Sequence, residues 1–388
     1  MPRGPFVLLF TLLLACVVSS CGGRRPSDSP ADSCSPLTPR NVDDCVRINQ
    51  LQLLGTHNSY HIAPAPALLD VLGDRGRNLD YTHRSLTDQL QRLGIRQFEL
   101  DVFADPRGGH YARPAALRMA EGLEAPGDAM RQPGFKVLHV QDVDYRTTCA
   151  TLIACLAEIG DWSRTHPQHV PIMVMIEAKD GALADPSGAG YVEPVAIDAQ
   201  QLRALDAEIR SVFSEGHVLT PDMVRGARAT LSEAIRADGW PRLRDARGKV
   251  LFALDNTGPH RDRYLDGHPS LEGRVLFVSA PPGSPASAFL KMNEALGDEG
   301  ARIRPMVEAG YLVRTRADTP TVEARSGATD RRDAAFATGA QYVSTDYPEV
   351  GPFGSGYVAR LPNAAQLPAR CNPVNAPAGC RDEWLEPR

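Results

Sequence analysis

His57 and Asn58 stand side by side at the end of an apolar run, in the stretch GTHNSYH (55–61). Glu99 and Asp101 lie two residues apart in FELDVF (98–103), so an extended backbone turns both to one face. His139 falls near the end of FKVLHV (135–140), and Glu177 near the end of IMVMIEA (172–178), with Lys179 just after it. Asp255, Arg314, Arg316 and Asp346 close three further runs. If these ends converge, three carboxylates share one site. Two unit charges about 4 Å apart repel by about 4 kcal/mol at an effective dielectric near 20. Protons, basic side chains or a cation must therefore compensate them. The oxygen donors of Asn58, Glu99, Asp101 and Glu177 suit a hard ion, Ca2+ ahead of Zn2+, with Mg2+ as a further candidate. Two imidazoles beside such an ion could supply an acid and a base. Using them instead as metal ligands would leave no such pair. Singly, each residue has an ordinary reading: a hydrogen-bonded structural His, or a surface ion pair for Arg316. Only the set argues for chemistry.

Elements that could gather these ends follow from the apolar pattern. Eight runs read as strands: 51–56, 96–103, 135–140, 172–178, 249–255, 274–280, 311–317 and 340–346. Most are almost continuously apolar, as parallel strands covered on both faces are. Helical patterns lie between many of them, at 85–94, 147–166, 199–213, 228–237, 287–296 and 330–339. Ser85 and Gly94 read as the start and stop of the first. This alternation predicts an α/β fold, a single-domain (β/α)8 TIM barrel, with an open doubly wound sheet as the other candidate. No GxGxxG follows the first strand, against a dinucleotide site. The connections 104–134 and 179–198 exceed simple turns. They are expected as walls over the catalytic face.

The 388 residues carry a formal charge of −5 and 6% aromatics, which argues against nucleic acid. Nothing implies a protein partner. The N-terminus reads as a secretory signal: Arg3, the apolar stretch 6–15, then VVSSC ending at Cys21. It resembles a lipoprotein signal, with Cys21 preferred to Cys16 as the lipidated residue. A plain signal peptide is the alternative. The expected organisation is a signal over 1–20, a flexible tether over 21–45 rich in Gly, Ser and Pro, and the barrel with a C-terminal extension over 46–388. The expected location is the bacterial cell envelope, by export, lipid-anchored or secreted. Six cysteines remain, Cys34, Cys45, Cys149, Cys155, Cys371 and Cys380. Their short separations suggest three local disulfides, with connectivity open.

The stretches GTHNSYH, FELDVF, VLHV, MIEAK and YLVRTRAD resemble the calcium-dependent phosphatidylinositol-specific phospholipase C family in its bacterial branch, from about residue 46 to about 350. The resemblance implies an irregular (β/α)8 barrel. It implies His57 and His139 as the catalytic histidines, Asn58, Glu99, Asp101 and Glu177 as Ca2+ ligands, and Arg314 as a substrate contact. Lys179 and Arg316 are further substrate-binding candidates. The implied reaction cleaves a membrane phospholipid to diacylglycerol and a cyclic inositol phosphate. His139 would protonate the leaving oxygen, and His57 or a carboxylate ligand would act as base. Departures exist. The segment between Asp101 and His139 is longer than in the eukaryotic enzymes, which leaves His110 as a rival for the second histidine. Where those enzymes place phosphate-binding lysines, this chain has Ala253 and Asp255. Asp255 is expected to accept hydrogen bonds from bare inositol hydroxyls. Asp142 and Asp144 either orient His139 or begin the next helix. A glycerophosphodiester phosphodiesterase and a non-catalytic headgroup-binding lipoprotein are the competing readings.

Overall fold

The computed structural model describes residues 1, 2, 4, 34–185, 188–362 and 367–386. Cys16, Cys21 and the expected signal beyond residue 4 lie outside the described residues. Ten strands occur among the described residues: β1 (Leu51–Thr56), β2 (Gln97–Phe103), β3 (Lys136–Val137), β4 (Ile172–Ala178), β5 (Val250–Leu254), β6 (Leu276–Val278), β7 (Phe289–Lys291), β8 (Leu312–Arg316), β9 (Tyr342–Thr345) and β10 (Ala369–Cys371). Eight run in the order β6-β5-β4-β2-β1-β9-β8-β7. The neighbours pair in parallel. A single parallel bridge, Ser279 to Phe289, links β6 to β7 and nearly closes the ring. This is an irregular (β/α)8 barrel in one domain. β4 and β5 are almost wholly buried and apolar because their side chains fill the barrel inside and meet helices outside.

Two expected elements are corrected. The run 135–140 is not a barrel strand. Only Lys136–Val137 extends, antiparallel to the end of β2, with Val102 opposite Val137. A turn closed by the Val140–Asp144 bridge then cuts it short. Leu138 serves a small cluster with Phe103, Tyr111, Ala112 and Met130 that roofs the connection. The stretch 287–296, expected as a helix, contains β7 instead. Phe289, Leu290 and Lys291 pair with Leu312, Val313 and Arg314 of β8. Periodicity cannot separate so short an apolar run from a helix segment. The barrel therefore keeps eight staves with a different membership, and Lys291 arrives beside Arg314.

Residues 34–45, inside the stretch expected as a tether, are folded onto the barrel. Cys34 and Cys45 are bonded, and Leu37 and Val42 join the core. Asp43 and Asp44 hold Arg247 and Arg244. Cys149–Cys155 and Cys371–Cys380 complete three local disulfides. The chain returns to the base of the barrel, where β10 pairs antiparallel with β1 and Glu386 accepts from Arg96 and from the Val170 amide.

His169 is buried at this base, with its ring nitrogens 2.7 Å from Ser163 Oγ and 2.6 Å from the Val170 carbonyl oxygen. Burial pushes its pKa down to about 4. The folded chain thus holds this imidazole neutral where the unfolded chain protonates it. Its stability contribution is complete above about pH 6.5 and is lost as pH falls toward 4, on the order of 3 kcal/mol. His169→Gln is expected to flatten the fall of melting temperature between pH 6.5 and 4, read by circular dichroism.

The turn after β1 is locked from one helix. Leu86–Leu93 starts at Ser85, whose hydroxyl accepts from the Asp88 amide at 3.2 Å, and stops at Gly94, with φ of 66°. Its apolar face seats Leu86 and Leu90 in the core. Between them the buried Gln89 accepts from the Thr56 hydroxyl and donates to the carbonyls of Ser59 and Arg84. These bonds fix the residues that follow β1.

Candidate active site

His57 and Asn58 follow directly on β1. The His57 amide donates to the Thr345 carbonyl at the end of β9, and the Ser59 amide to Glu99 on β2. Asn58 sits in left-handed conformation, φ 44°, which asparagine tolerates better than most residues. Its side chain is buried, and Nδ2 donates to the Tyr81 hydroxyl at 2.8 Å. Oδ1 has no hydrogen-bond partner among the described residues.

The acidic trio forms as the i, i+2 spacing predicts. Glu99 and Asp101 point inward from β2, and Glu177 stands in register with Asp101 on β4. One oxygen from each lies within 4.8 Å of the others. Glu99 pairs with the guanidinium of Arg314. Lys179 Nζ lies 3.0 Å from Asp101 Oδ2 and 3.3 Å from Glu177 Oε2. Asp101 Oδ1 is buried without a hydrogen-bond partner among the described residues. Burial pushes Asp101 up to about 7 although Lys179 pulls the other way. Burial, with Asp101 next, pushes Glu177 up to about 7. Two basic residues thus leave the trio under-compensated.

Each histidine is backed by a carboxylate. His57 Nδ1 lies 2.8 Å from Asp346 Oδ1, and its Nε2 lies 3.7 Å from Glu99 Oε1. Burial, then the charge of Arg316, holds His57 well below the usual imidazole range. The neutral ring keeps its proton on Nδ1 toward Asp346 and presents a lone pair at Nε2, to which Arg316 donates at 3.3 Å. Arg316 also reaches Asp346 Oδ2, and the Asp346 amide donates to the buried Asp318. His139 Nδ1 lies 2.7 Å from Asp144 Oδ2, and the same oxygen lies 2.7 Å from His61 Nε2. His61 is stacked on Tyr81, and its Nδ1 meets the Tyr81 carbonyl oxygen at 3.0 Å. Burial alone would raise Asp144, but the two imidazoles outweigh it and hold the carboxyl below its ordinary range. The His139 ring stands edge-on to His61 at 5.6 Å between centroids, His61 stacks on Tyr81, and Tyr81 takes the Asn58 amide, so a run of contacts joins His139 to the residue beside His57.

The walls meet here too. Asp142 accepts from the Ala115 amide on one long connection and the Val192 amide on the other. Gln141 donates to the Gly181 carbonyl. His139 therefore rides on a stitched cover, not on a barrel strand.

The structure brings together His57, Asn58, Glu99, Asp101, His139 and Glu177. It treats the expected substrate contacts differently. Arg314 is only 1% exposed and is held by Glu99 and Asn293, because β7 closes over it. Lys179 faces carboxylates. Asp255 is buried and 2.5 Å from Lys291, so its oxygens are shared. Arg316 lies beside His57. The rival His110 donates from Nε2 to the Glu193 carbonyl, and no carboxylate pairs with its ring among the described residues. Sequence reasoning assigned no role to Lys291 or Asn293, which lay in an expected helix. Nor does it single out His61, which ends the very stretch that contains His57. Asp346 was visible only as one more strand-end acid.

A family profile described as phosphoinositide phospholipase C, Ca2+-dependent, matches residues 46–373. Among solved structures, a Ca2+-dependent phosphatidylinositol-specific phospholipase C from Streptomyces antibioticus is 20% identical, with a TM-score of 0.50 over 79% of this chain and 97% of that one. That likeness bears on the fold alone. The calcium-dependent phosphoinositol-specific phospholipase C of Pseudomonas sp. is 16% identical, with a TM-score of 0.49 over 82% and 95% of the two chains. No curated protein matches. The profile spans well over half of the sequence, from just before β1 to just beyond β10, and on that match the chain belongs to the Ca2+-dependent phosphoinositide phospholipase C family, an enzyme of the phosphodiesterase class.

Proposed function

We propose that this chain cleaves phosphatidylinositol-type glycerophospholipids to diacylglycerol and a cyclic inositol phosphate, with His57 and His139 as base and acid beside a Ca2+ held by Asn58, Glu99, Asp101 and Glu177. One observation carries the reading: two imidazoles are each tied at Nδ1 to a buried carboxylate, His57 lies 3.7 Å from Glu99 of the acidic trio, and His139 is joined through His61 and Tyr81 to Asn58. The buried, unpartnered Oδ1 atoms of Asn58 and Asp101 and the all-oxygen donor set fit a hard ion such as Ca2+. Nothing favours Mg2+ over it. The chemistry that bound Ca2+ supplies is positive charge at a phosphoryl oxygen and a more acidic attacking hydroxyl.

The chain's residues then move two protons. His57 Nε2 takes the proton of the inositol 2-hydroxyl as that oxygen forms its bond to phosphorus. The bond from phosphorus to the glycerol oxygen breaks, and protonated His139 gives its proton to that oxygen. Asp346 keeps the His57 proton on Nδ1 and steadies the imidazolium that results, and Asp144 does the same for His139. Arg316 must yield Nε2 to the substrate hydroxyl. Arg314 is assigned to holding Glu99, and the Asp255–Lys291 pair to the inositol hydroxyls.

Phosphorus NMR of the products from phosphatidylinositol vesicles tests this. With Ca2+, a cyclic phosphodiester resonance is expected, and with chelator none. An acyclic first product would point to glycerophosphodiester hydrolysis instead, and turnover that survives chelation would remove the metal from the scheme.

We also propose export, with lipid attached at Cys21. The three disulfides support an oxidising compartment. Mass analysis of the envelope-extracted protein, against Cys21→Ser, should find the acyl mass only in the former.

A further inference from the structure

We infer that Lys179 is a tethered cation that occupies the acidic trio until Ca2+ displaces it, so that metal binding is an exchange of one positive group for another. This rests on the reading above that the trio holds Ca2+. With all three acids ionised, as a bound cation requires, three carboxylates face two cations, Arg314 and Lys179, and one negative charge is left over. Replacing the ammonium by a divalent ion brings the count to neutrality. Keeping both would overshoot it.

The two cations differ in how firmly they are held. Arg314 is buried on β8 and gripped by both Glu99 and Asn293. Lys179 lies one residue past β4, with its amide fixed to the Val102 carbonyl at 2.9 Å, while its side chain keeps 26% exposure. Its backbone is anchored and its head is free to swing outward. A lysine is suited to this, being a compact charge on a flexible stem, where an arginine fork would resist release. Its Nζ contacts Asp101 and Glu177, the two acids that Arg314 does not serve. Once released, the ammonium stays at the rim where an anionic diester enters. The bland alternative is a permanent salt bridge that merely braces the ends of β2 and β4, with the metal binding beside it.

Two measurements on the full chain separate these. By calorimetry after chelator treatment, Lys179→Met is expected to bind Ca2+ about 10-fold tighter than wild type, because no internal ammonium has to leave. In wild type, amine acetylation read by mass spectrometry should label Lys179 several-fold faster with Ca2+ than with chelator. The labelling stands alone if the variant does not fold. Equal or weaker affinity in a folded Lys179→Met, or labelling that Ca2+ does not accelerate, overturns the exchange and leaves the metal site intact. No Ca2+ binding by either protein overturns the metal site, and the exchange with it.

Discussion

Alanine at His57 or at His139 is expected to lower turnover about 10²- to 10⁴-fold while the barrel stays folded. The magnitude is that of removing one positioned proton-transfer group. Folding should survive because neither deletion strands a buried charge. Without His57, Asp346 keeps Arg316 at 3.2 Å. Without His139, Asp144 keeps His61 at 2.7 Å. Both rings are also partly open, with side-chain exposures of 14% and 21%, so little packing is lost. Steady-state kinetics on phosphatidylinositol vesicles, beside thermal unfolding, checks both halves. A variant that unfolds, or one that keeps near-normal turnover, would remove that histidine from its assigned role.

Asp144→Ala carries the second large effect, and it strikes activity and stability together. The shared oxygen of Asp144 holds His139 and His61 at once. His61 is fully buried, and both its ring nitrogens face acceptors, the Tyr81 carbonyl and Asp144. Removing one partner from a buried pair costs about 3–5 kcal/mol. Losing the brace on the proposed proton donor, His139, should also cost at least about 100-fold in turnover. Asp144→Asn keeps the volume and is expected to recover much of the stability but little of the rate. Denaturant titration and initial rates measure the two separately. An active, fully stable Asp144→Ala would show that the shared carboxylate is ornamental.

The staves of the barrel were legible where burial on both faces makes a strand apolar end to end. β1, β2, β4, β5, β6, β8 and β9 fall within the runs read from the pattern, and the ends of β1, β2 and β4 deliver the proposed ligand residues. β7 was illegible because so short a stretch, Phe289–Lys291, satisfies a helix as well as a strand, and only pairing with β8 decides. The excursion through β3 misled for the opposite reason: its apolar residues cover a loop, not the barrel wall. Within the site, local spacing revealed the acidic trio. It could not reveal partners drawn from across the ring. That Arg314 serves Glu99, that Lys291 serves Asp255, and that His61 shares Asp144 with His139 depend on which staves become neighbours. The strand-end rule placed Asp346 at the mouth but left its partner, His57, to be found from the closing pair β1 and β9.

The two histidines proposed as proton carriers are mounted on supports of unequal firmness. His57 extends from a stave paired on both sides, whereas His139 hangs from an excursion held by two β-residues, Asp142 and the seam between two long connections. The upper working temperature of such an enzyme is then governed by the seating of that flap, and catalysis fades while the barrel beneath is still intact.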